Sequence, residues 1–401
     1  MRKLFFQIRR CNWAPLEWRH SQAALVQKCN GKVGPASYRQ IHLLDPVGKC
    51  YYRGLWDRAP FHGEAGHFST AYLPYRRREQ SMAQQRIVLH RLTAAKLSHG
   101  LLIYDIRNAF PSVSHDTLDQ AIDDSFEQEV HMLMIQRYRN STTTANAADG
   151  PCTYIIGSGN LQGDSIAALQ FAEVYTPCLY NYLNLKHIQP WGRKLLLRDW
   201  LTGDLVDAGF TNYADDIADI IFAEDCETLC ERRVWANSIL EEAIAPAGLS
   251  TSTDKTTFLP HMCGRGSKTA MATFFQNQPP FNKTVKFSAA YLGAQVSIVG
   301  TNTLEVRNRI AAAERAWFAA SRVWRMLGVS LKFRLQLFAS LVMTTLLTGL
   351  EALVLAPHEL HRLETCRMTK VRRLLGYFSV FSVVAADDTV TNHYKPYFFA
   401  S

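Results

Sequence analysis

The sequence predicts an α+β fold: a small N-terminal sheet, a mixed centre and a helical end, in that order. Three observations predict it. The apolar run Leu101–Ile106 has the length and continuity of a buried strand and carries Asp105 near its end. Downstream, 210–213 and 217–222 are β-patterned and flank the short polar stretch Ala214-Asp215-Asp216, as in a hairpin. From 304 to 376 the pattern is almost continuously helical and rich in Leu, Ala and Arg.

The elements follow in order. Residues 1–60 alternate short apolar runs with basic and Gly/Pro breaks, and predict strands at Gln40–Leu44 and around Cys50-Tyr51-Tyr52. Residues 78–98 predict a helix, with Met82, Ile87, Leu89, Leu92 and Leu97 near helical spacing. After the strand at 101–106, Ser114 can cap a helix whose apolar positions Leu118, Ile122, Phe126, Val130 and Met134 recur every four residues. The polar run Asn140–Gly150 predicts a turn, and Ile155-Ile156 with the glycine loop to Asp164 predicts a strand that opens a helix through Tyr182. A helix at 226–246 follows the hairpin and stops near Pro246-Ala247-Gly248.

Composition excludes some classes. A hydrophobic fraction of 47% against 20% charged residues describes a folded chain, and 401 residues leave room for two or three subdomains. The formal charge of +9 is unevenly spread. Residues 1–104 carry 17 Lys/Arg against 5 Asp/Glu, residues 105–300 carry 14 against 23, and residues 301–380 carry 12 against 5. Basic flanks around an acidic centre suit flanks that grip a polyanion and a centre that holds metal. The nine cysteines include no CxxC pair, which argues against a structural zinc site and for a reducing compartment. The N-terminal apolar run is too short for a signal peptide. Leu337–Ala356 approaches the length of a membrane span, but Gly349, Glu351 and its hydroxyl residues predict a buried helix.

Asp105 and the Asp215-Asp216 pair stand 110 residues apart, each cluster at a strand end. Carboxylates gathered in this way are hard oxygen ligands for Mg²⁺. Two such ions about 4 Å apart serve phosphoryl transfer by stabilising the attacking and leaving oxygens. The three aspartates are therefore expected to converge on one surface.

Ordered motifs around them carry a resemblance. Asp105–Val113, with an aromatic five residues after the aspartate, resembles the first palm motif of reverse transcriptases. Leu161-Gln162-Gly163-Asp164-Ser165, running to Phe171, is similar to the second, and Tyr213-Ala214-Asp215-Asp216 to the third. Ala247–Thr256 resembles the fourth, Tyr291-Leu292-Gly293 the fifth, and Lys28 with Tyr38–Leu44 the fingers signature. Leu346–Glu351, Leu363–Arg367 and Val371–Gly376 resemble the thumb end of non-LTR (LINE-type) retrotransposon reverse transcriptases. The resemblance spans roughly residues 25–378. It departs from the family at Ala167-Ala168, where Ser-Pro is common, at Thr253, near the usual Asn, and at Gln40 in place of Pro.

The resemblance implies a right-hand polymerase: basic fingers over 1–100, a palm over 101–300 with inserted segments, a helical thumb over 301–378 and a tail over 379–401. It implies RNA-directed DNA synthesis from an RNA template, a DNA primer and dNTPs, with Mg²⁺ or Mn²⁺ and no membrane, in the nucleus and cytoplasm. Asp105, Ile106, Asp215 and Asp216 become the metal-binding positions, and Lys255 a proton donor to leaving pyrophosphate. Arg39 and Lys28 would grip the triphosphate, with Gln162 and Gly163 near the template base and incoming nucleotide. Phe110 would lie under the sugar and exclude a 2′-hydroxyl. Arg322 and Arg325 would contact phosphates from the thumb. Family proteins usually carry an endonuclease and often a zinc knuckle. Neither is seen before residue 25 or after 378, so a fragment is expected. Two rival readings stand beside this one: an RNA-dependent RNA polymerase, disfavoured by the bulky Phe110, and a degenerate or domesticated copy that binds nucleic acid without catalysis.

Overall fold

The computed structural model describes residues 1–28, 33–34, 37–58, 66–73, 75–123, 126–139, 141–147, 150–198, 203–276, 284–298, 300–326 and 328–375. The expected tail, 379–401, and Gly376 at the end of the thumb motif lie outside the described residues. The chain divides into two compact units, 1–300 and 301–401. It is mixed α+β with antiparallel sheets, as the sequence predicts.

The first unit opens with helix α1 (Arg2–Cys11), where only strands are expected. Phe5 and Ile8 on its inner face pack into a cluster with Trp18, Tyr51 and Tyr52, which holds the helix. Strands β1 (His20–Gln27) and β2 (Tyr38–Leu44) form an antiparallel hairpin. Cys50-Tyr51-Tyr52 is not a strand but part of helix α2 (Pro46–Trp56). The reason is local: Pro46 pre-sets the first turn, and the Asp45 carboxylate accepts from the Gly48 N–H at 2.8 Å. Helix α3 (Arg78–Ala94) matches its expected span to within the frayed end.

Strand β3 (Ser98–Asp105) is buried along nearly its whole length. After it come the short helix α4 (Ala109–Ser112), then α5 (His115–Asp123) and α6 (Gln128–Ile135). A single helix is expected over the last two, and a four-residue spacing explains the difference. Four residues advance about 400° around an α-helix, so an apolar stripe at that spacing drifts about 40° per step and leaves the core face. Ser114 caps α5, accepting from the Thr117 N–H at 3.1 Å.

The expected turn at 140–150 is instead a hairpin of β4 (Thr142–Ala147) and β5 (Gly150–Ile155). It completes a four-stranded sheet in the order β2-β1-β4-β5, with β1 and β4 parallel. Its polar threonines read as a loop in sequence, but tertiary partners satisfy them. The buried Thr143 hydroxyl meets Ser21 Oγ at 2.7 Å and His42 Nδ1 at 3.1 Å, and Thr144 meets Thr153 at 2.6 Å. β-Branched residues then favour the strand.

Helix α7 (Ala167–His187) runs to the small hairpin of β6 (Leu196–Arg198) and β7 (Leu205–Asp207). Strands β8 (Phe210–Tyr213) and β9 (Asp216–Ala223) form the expected second hairpin, and helix α8 (Cys226–Ile244) follows. With β10 (Thr257–His261) they build an all-antiparallel sheet ordered β10-β3-β9-β8. Tyr182 and Lys186 of α7 reach into this sheet to the fully buried Asp219, at 2.6 and 2.5 Å. Helix α9 (Ser267–Gln276) and a hairpin of β11 (Ser288–Tyr291) and β12 (Ala294–Ser297) end the unit.

The second unit is helical: α10 (Thr303–Ala319), α11 (Ser321–Arg325), α12 (Leu331–Leu337), α13 (Thr344–Leu347) and α14 (Pro357–Leu374). Its core gathers Val306, Ala313, Trp317, Phe338, Val342, Leu346, Leu363 and Leu374. The segment expected to be a buried helix is buried only along one stripe. Leu331–Ala352 is long and apolar enough to cross a membrane, yet only 28% of its most apolar window is buried. Phe338, Val342, Leu346 and Leu350 form the stripe at the same four-residue spacing. Here the wider π turns at Phe338–Met343 cancel the drift that separates α5 from α6.

Candidate active site

Two neighbouring strands of the second sheet bring the aspartates together. In the β3–β9 ladder Asp105 lies opposite Asp216, while Tyr213 pairs with Asp216 across the β8–β9 turn. Asp215 is therefore carried at the tip, beside both. The tip is tight: Ala214 takes the left-handed conformation (φ 58°), and the Asn212 side-chain amide donates to its carbonyl at 2.8 Å. Such a backbone costs a non-glycine residue about 1–2 kcal/mol. The hydrogen bond and the two flanking strands hold it there.

Like charges directly opposite on adjacent strands repel. Burial, followed by the charges of Asp215 and Asp105, pushes the Asp216 carboxyl up to about 6. Burial also raises Asp215, with Asp105 adding and Lys255 and Arg39 opposing. One cation meets the cluster directly: Lys255 Nζ lies 2.7 Å from Asp105 Oδ2. It is placed by the segment 250–255, which runs beside the end of β3. Arg107 N–H donates to the Ser250 carbonyl at 2.8 Å, Ser252 N–H to the Asp105 carbonyl at 2.7 Å, and Ile106 bridges Thr251.

A second wall comes from the first sheet. Arg39, exposed on β2, is close enough to act on the Asp215 carboxylate. Lys28 lies just past β1, its N–H bonded to the Ser37 carbonyl at 2.6 Å, and shares with Val26 and Arg39 the same side of the strand alternation. The Gln162 carbonyl accepts from the His42 N–H of β2 at 2.7 Å. Gly163 sits at φ 114°, where a Cβ would lie 2.6 Å from the His42 carbonyl oxygen, so this close approach needs glycine. The next residue anchors the loop: Asp164 makes a two-pronged, buried ion pair with Arg137, at 2.6 and 3.1 Å. Arg137 also donates to the Trp18 carbonyl at 2.5 Å and lies over the Tyr52 ring.

Phe110 is half-buried, its ring 5.0 Å from that of Phe171, and its carbonyl accepts from the Asn160 N–H at 2.9 Å. The structure thus brings together Asp105, Ile106, Asp215, Asp216 and Lys255, while Gln162 and Gly163 meet β2, which carries Arg39, and Phe110 meets Asn160 and Phe171. Arg322 and Arg325 belong to the second unit, where both are exposed on the one-turn helix α11 and Arg325 Nε donates to the Ser321 carbonyl at 3.2 Å. Sequence reasoning missed Arg137 and Asn212. Asp164 lies inside a motif, but its partner is 27 positions away on another element, where no local spacing points to it.

Among the described residues, no three His, Cys, Asp or Glu side chains already stand as a ligand set. The donor chemistry nevertheless fits a hard divalent cation. Carboxylate oxygens from Asp105, Asp215 and Asp216 repel one another, and the charge of Lys255 partly relieves the excess.

The raised carboxyl of Asp216 has a consequence for stability. Its folded pKa lies above the ordinary carboxylate value, so the folded chain binds more protons between about pH 4 and 6 and loses stability as pH rises through that window. Asp216→Asn is expected to raise the melting temperature at pH 7 more than at pH 4. An equal gain at both values would contradict the strain assigned to this carboxylate.

No protein-family model and no curated protein matches the chain. Among solved structures it is similar to apo telomerase from Candida tropicalis, with a TM-score of 0.48 and 10% identity over 94% of this chain and 63% of that one. It is also similar to telomerase from Candida albicans in complex with the TWJ fragment of telomeric RNA, with a TM-score of 0.43 and 11% identity over 94% of this chain and 63% of the other. The same complex from Candida tropicalis gives 0.46 and 11% over 89% and 55%. The chain therefore spans between 55% and 63% of the length of these telomerase chains.

Proposed function

We propose that this chain is an RNA-directed DNA polymerase of the non-LTR retrotransposon type, built as a right hand with its palm at the β10-β3-β9-β8 sheet. The observation that carries the reading is the register of that sheet, which sets Asp105 opposite Asp216 with Asp215 at the adjoining tip. Bound Mg²⁺ or Mn²⁺ would supply charge neutralisation at the transferring phosphoryl group. Asp105, Asp215 and Asp216 would hold it, with Ile106 able to contribute only through its backbone. Lys255 then serves the leaving pyrophosphate, and Arg39, with Lys28 beside it, the triphosphate. RNA template, DNA primer and dNTPs are the partners, and nucleus and cytoplasm the compartments, on the motif resemblance. Primer extension on poly(rA)/oligo(dT) with Mg²⁺ or Mn²⁺ tests the reading, and no incorporation with either ion would overturn it.

Phe110 would be the sugar gate, a role supported by its position five residues after Asp105 and by its ring on α4 packing against Phe171 of α7. Phe110→Val should raise ribonucleotide relative to deoxynucleotide incorporation by about tenfold or more, while primer binding stays near that of the parent. Unchanged discrimination in competition assays would remove the gate.

Binding of a primer–template duplex should fall steeply with salt, because neutralised phosphates release counterions. Reversing Arg322 and Arg325 to Glu should weaken binding alike across sequences, and lower the salt slope by roughly one for each phosphate that is no longer neutralised. A slope that does not change would place the nucleic acid elsewhere.

A further inference from the structure

One aromatic residue, on a segment that runs beside the hairpin carrying the carboxylates, has no part in the chemistry described so far. The segment before α3 is tied to the strand that carries the catalytic turn. Thr70 N–H donates to the Asn212 carbonyl at 3.0 Å, and Asn212 N–H to the Phe68 carbonyl at 2.9 Å. Phe68 is buried against Phe210, and the Thr70 hydroxyl meets Ser81 at 2.7 Å. From the other side, Arg76 binds the carbonyls of Gly66, His67 and Ser69, at 3.0, 3.2 and 2.7 Å.

Between these anchors Tyr72 sits with φ at 60° and 46% of its surface exposed. A left-handed backbone strains an aromatic residue, and a ring left this open returns little of that cost through burial. Glycine would satisfy the turn without strain. The parallel bridge of Ser69 with Asn212 runs this segment on toward the hairpin tip that carries Asp215. Tyr75, in the same segment and also left-handed at φ 62°, is 98% exposed.

We propose that Tyr72 is a stacking platform for the 3′-terminal base of the primer, holding that end beside Asp215; this rests on the polymerase reading. A neutral ring suits the position. A cation there would compete for the carboxylates, whereas an aromatic face accepts any base, and the terminal base of a growing strand changes at every step.

The test uses the full chain and a recessed DNA primer on an RNA template, with 2-aminopurine as the primer's 3′ base. Tyr72→Gly removes the ring and relieves the backbone strain, so it should melt no lower than the parent. It is expected to weaken duplex binding on the order of tenfold, to abolish the 2-aminopurine fluorescence change on binding, and to leave the dNTP KM and the salt slope near their parental values. Tyr72→Phe should keep both binding and the fluorescence change, and Tyr75→Gly should resemble the parent. Parental binding and fluorescence in Tyr72→Gly would overturn the proposal. So would a change confined to the dNTP KM, which would put the ring against the nucleotide instead. A parent that binds the duplex but extends nothing would sink the polymerase reading, while the fluorescence comparison would still decide whether Tyr72 meets the terminal base.

Discussion

Asp215→Asn is expected to lower primer extension by a thousandfold or more, while the variant binds primer–template at least as tightly as the parent. The first effect follows from the place of Asp215, at the hairpin tip beside the Asp105–Asp216 pair. If Asp215 holds a catalytic divalent ion, as proposed, losing that ligand removes several kcal/mol of charge stabilisation, and about 1.4 kcal/mol is a factor of ten in rate. The second follows from sign. The substitution removes a negative charge from a surface that, on the proposed reading, a polyanion must approach, and relieves the repulsion that adds to burial in raising Asp216. Steady-state extension and fluorescence anisotropy on the same preparation separate the two. Loss of binding in parallel with activity would mean that Asp215 supports the fold and not the reaction. Full activity would end the proposed role of the carboxylates.

Lys186→Met is the second large effect, and it concerns stability. Asp219 is fully buried on β9, three residues beyond Asp216, and Lys186 with Tyr182 are its partners from α7. Burial pushes its carboxyl up, opposed by Lys186 and Tyr182, so the charge depends on both. Removing one partner of a buried pair costs about 3–5 kcal/mol, because the other charge is left uncompensated. That is a large share of the roughly 5–15 kcal/mol that holds a domain together. The apolar triple variant, Lys186→Met with Asp219→Leu and Tyr182→Phe, should recover most of the loss, since no polar group is then stranded. Urea unfolding curves measure both. If the single variant unfolds at the parental midpoint, the pair contributes nothing net, and the anchoring of β9 by α7 must be apolar.

The two predictions differ in how far the sequence alone could reach them. Asp215 is legible because its chemistry is local: an acidic pair between two β-patterned runs, with Asp105 at the end of another. The Asp219–Lys186 pair is not, because a lone aspartate inside an apolar strand says nothing about a lysine 33 positions earlier on a helix. The same division runs through the fold. Strands 101–106 and 210–222 are mostly apolar or tightly turned segments whose β pattern is local, and they stand where they are expected.

Polar or ambiguous segments were decided elsewhere. Thr142–Ala147 reads as a turn until Ser21 and His42 supply partners for Thr143, and Cys50-Tyr51-Tyr52 reads as a strand until Asp45 and Pro46 start a helix. The sequence by itself determined the α+β class, the two carboxylate clusters and the helical end, because hydrophobic periodicity and turn chemistry act over a few residues. Only the tertiary structure decided that Asp105 faces Asp216, that Lys255 meets Asp105, that β2 closes on Gly163 and that the segment leading to Tyr72 runs along Asn212. Register and long-range hydrogen bonds make those contacts, and both arise only when segments far apart in the chain bury their surfaces against each other.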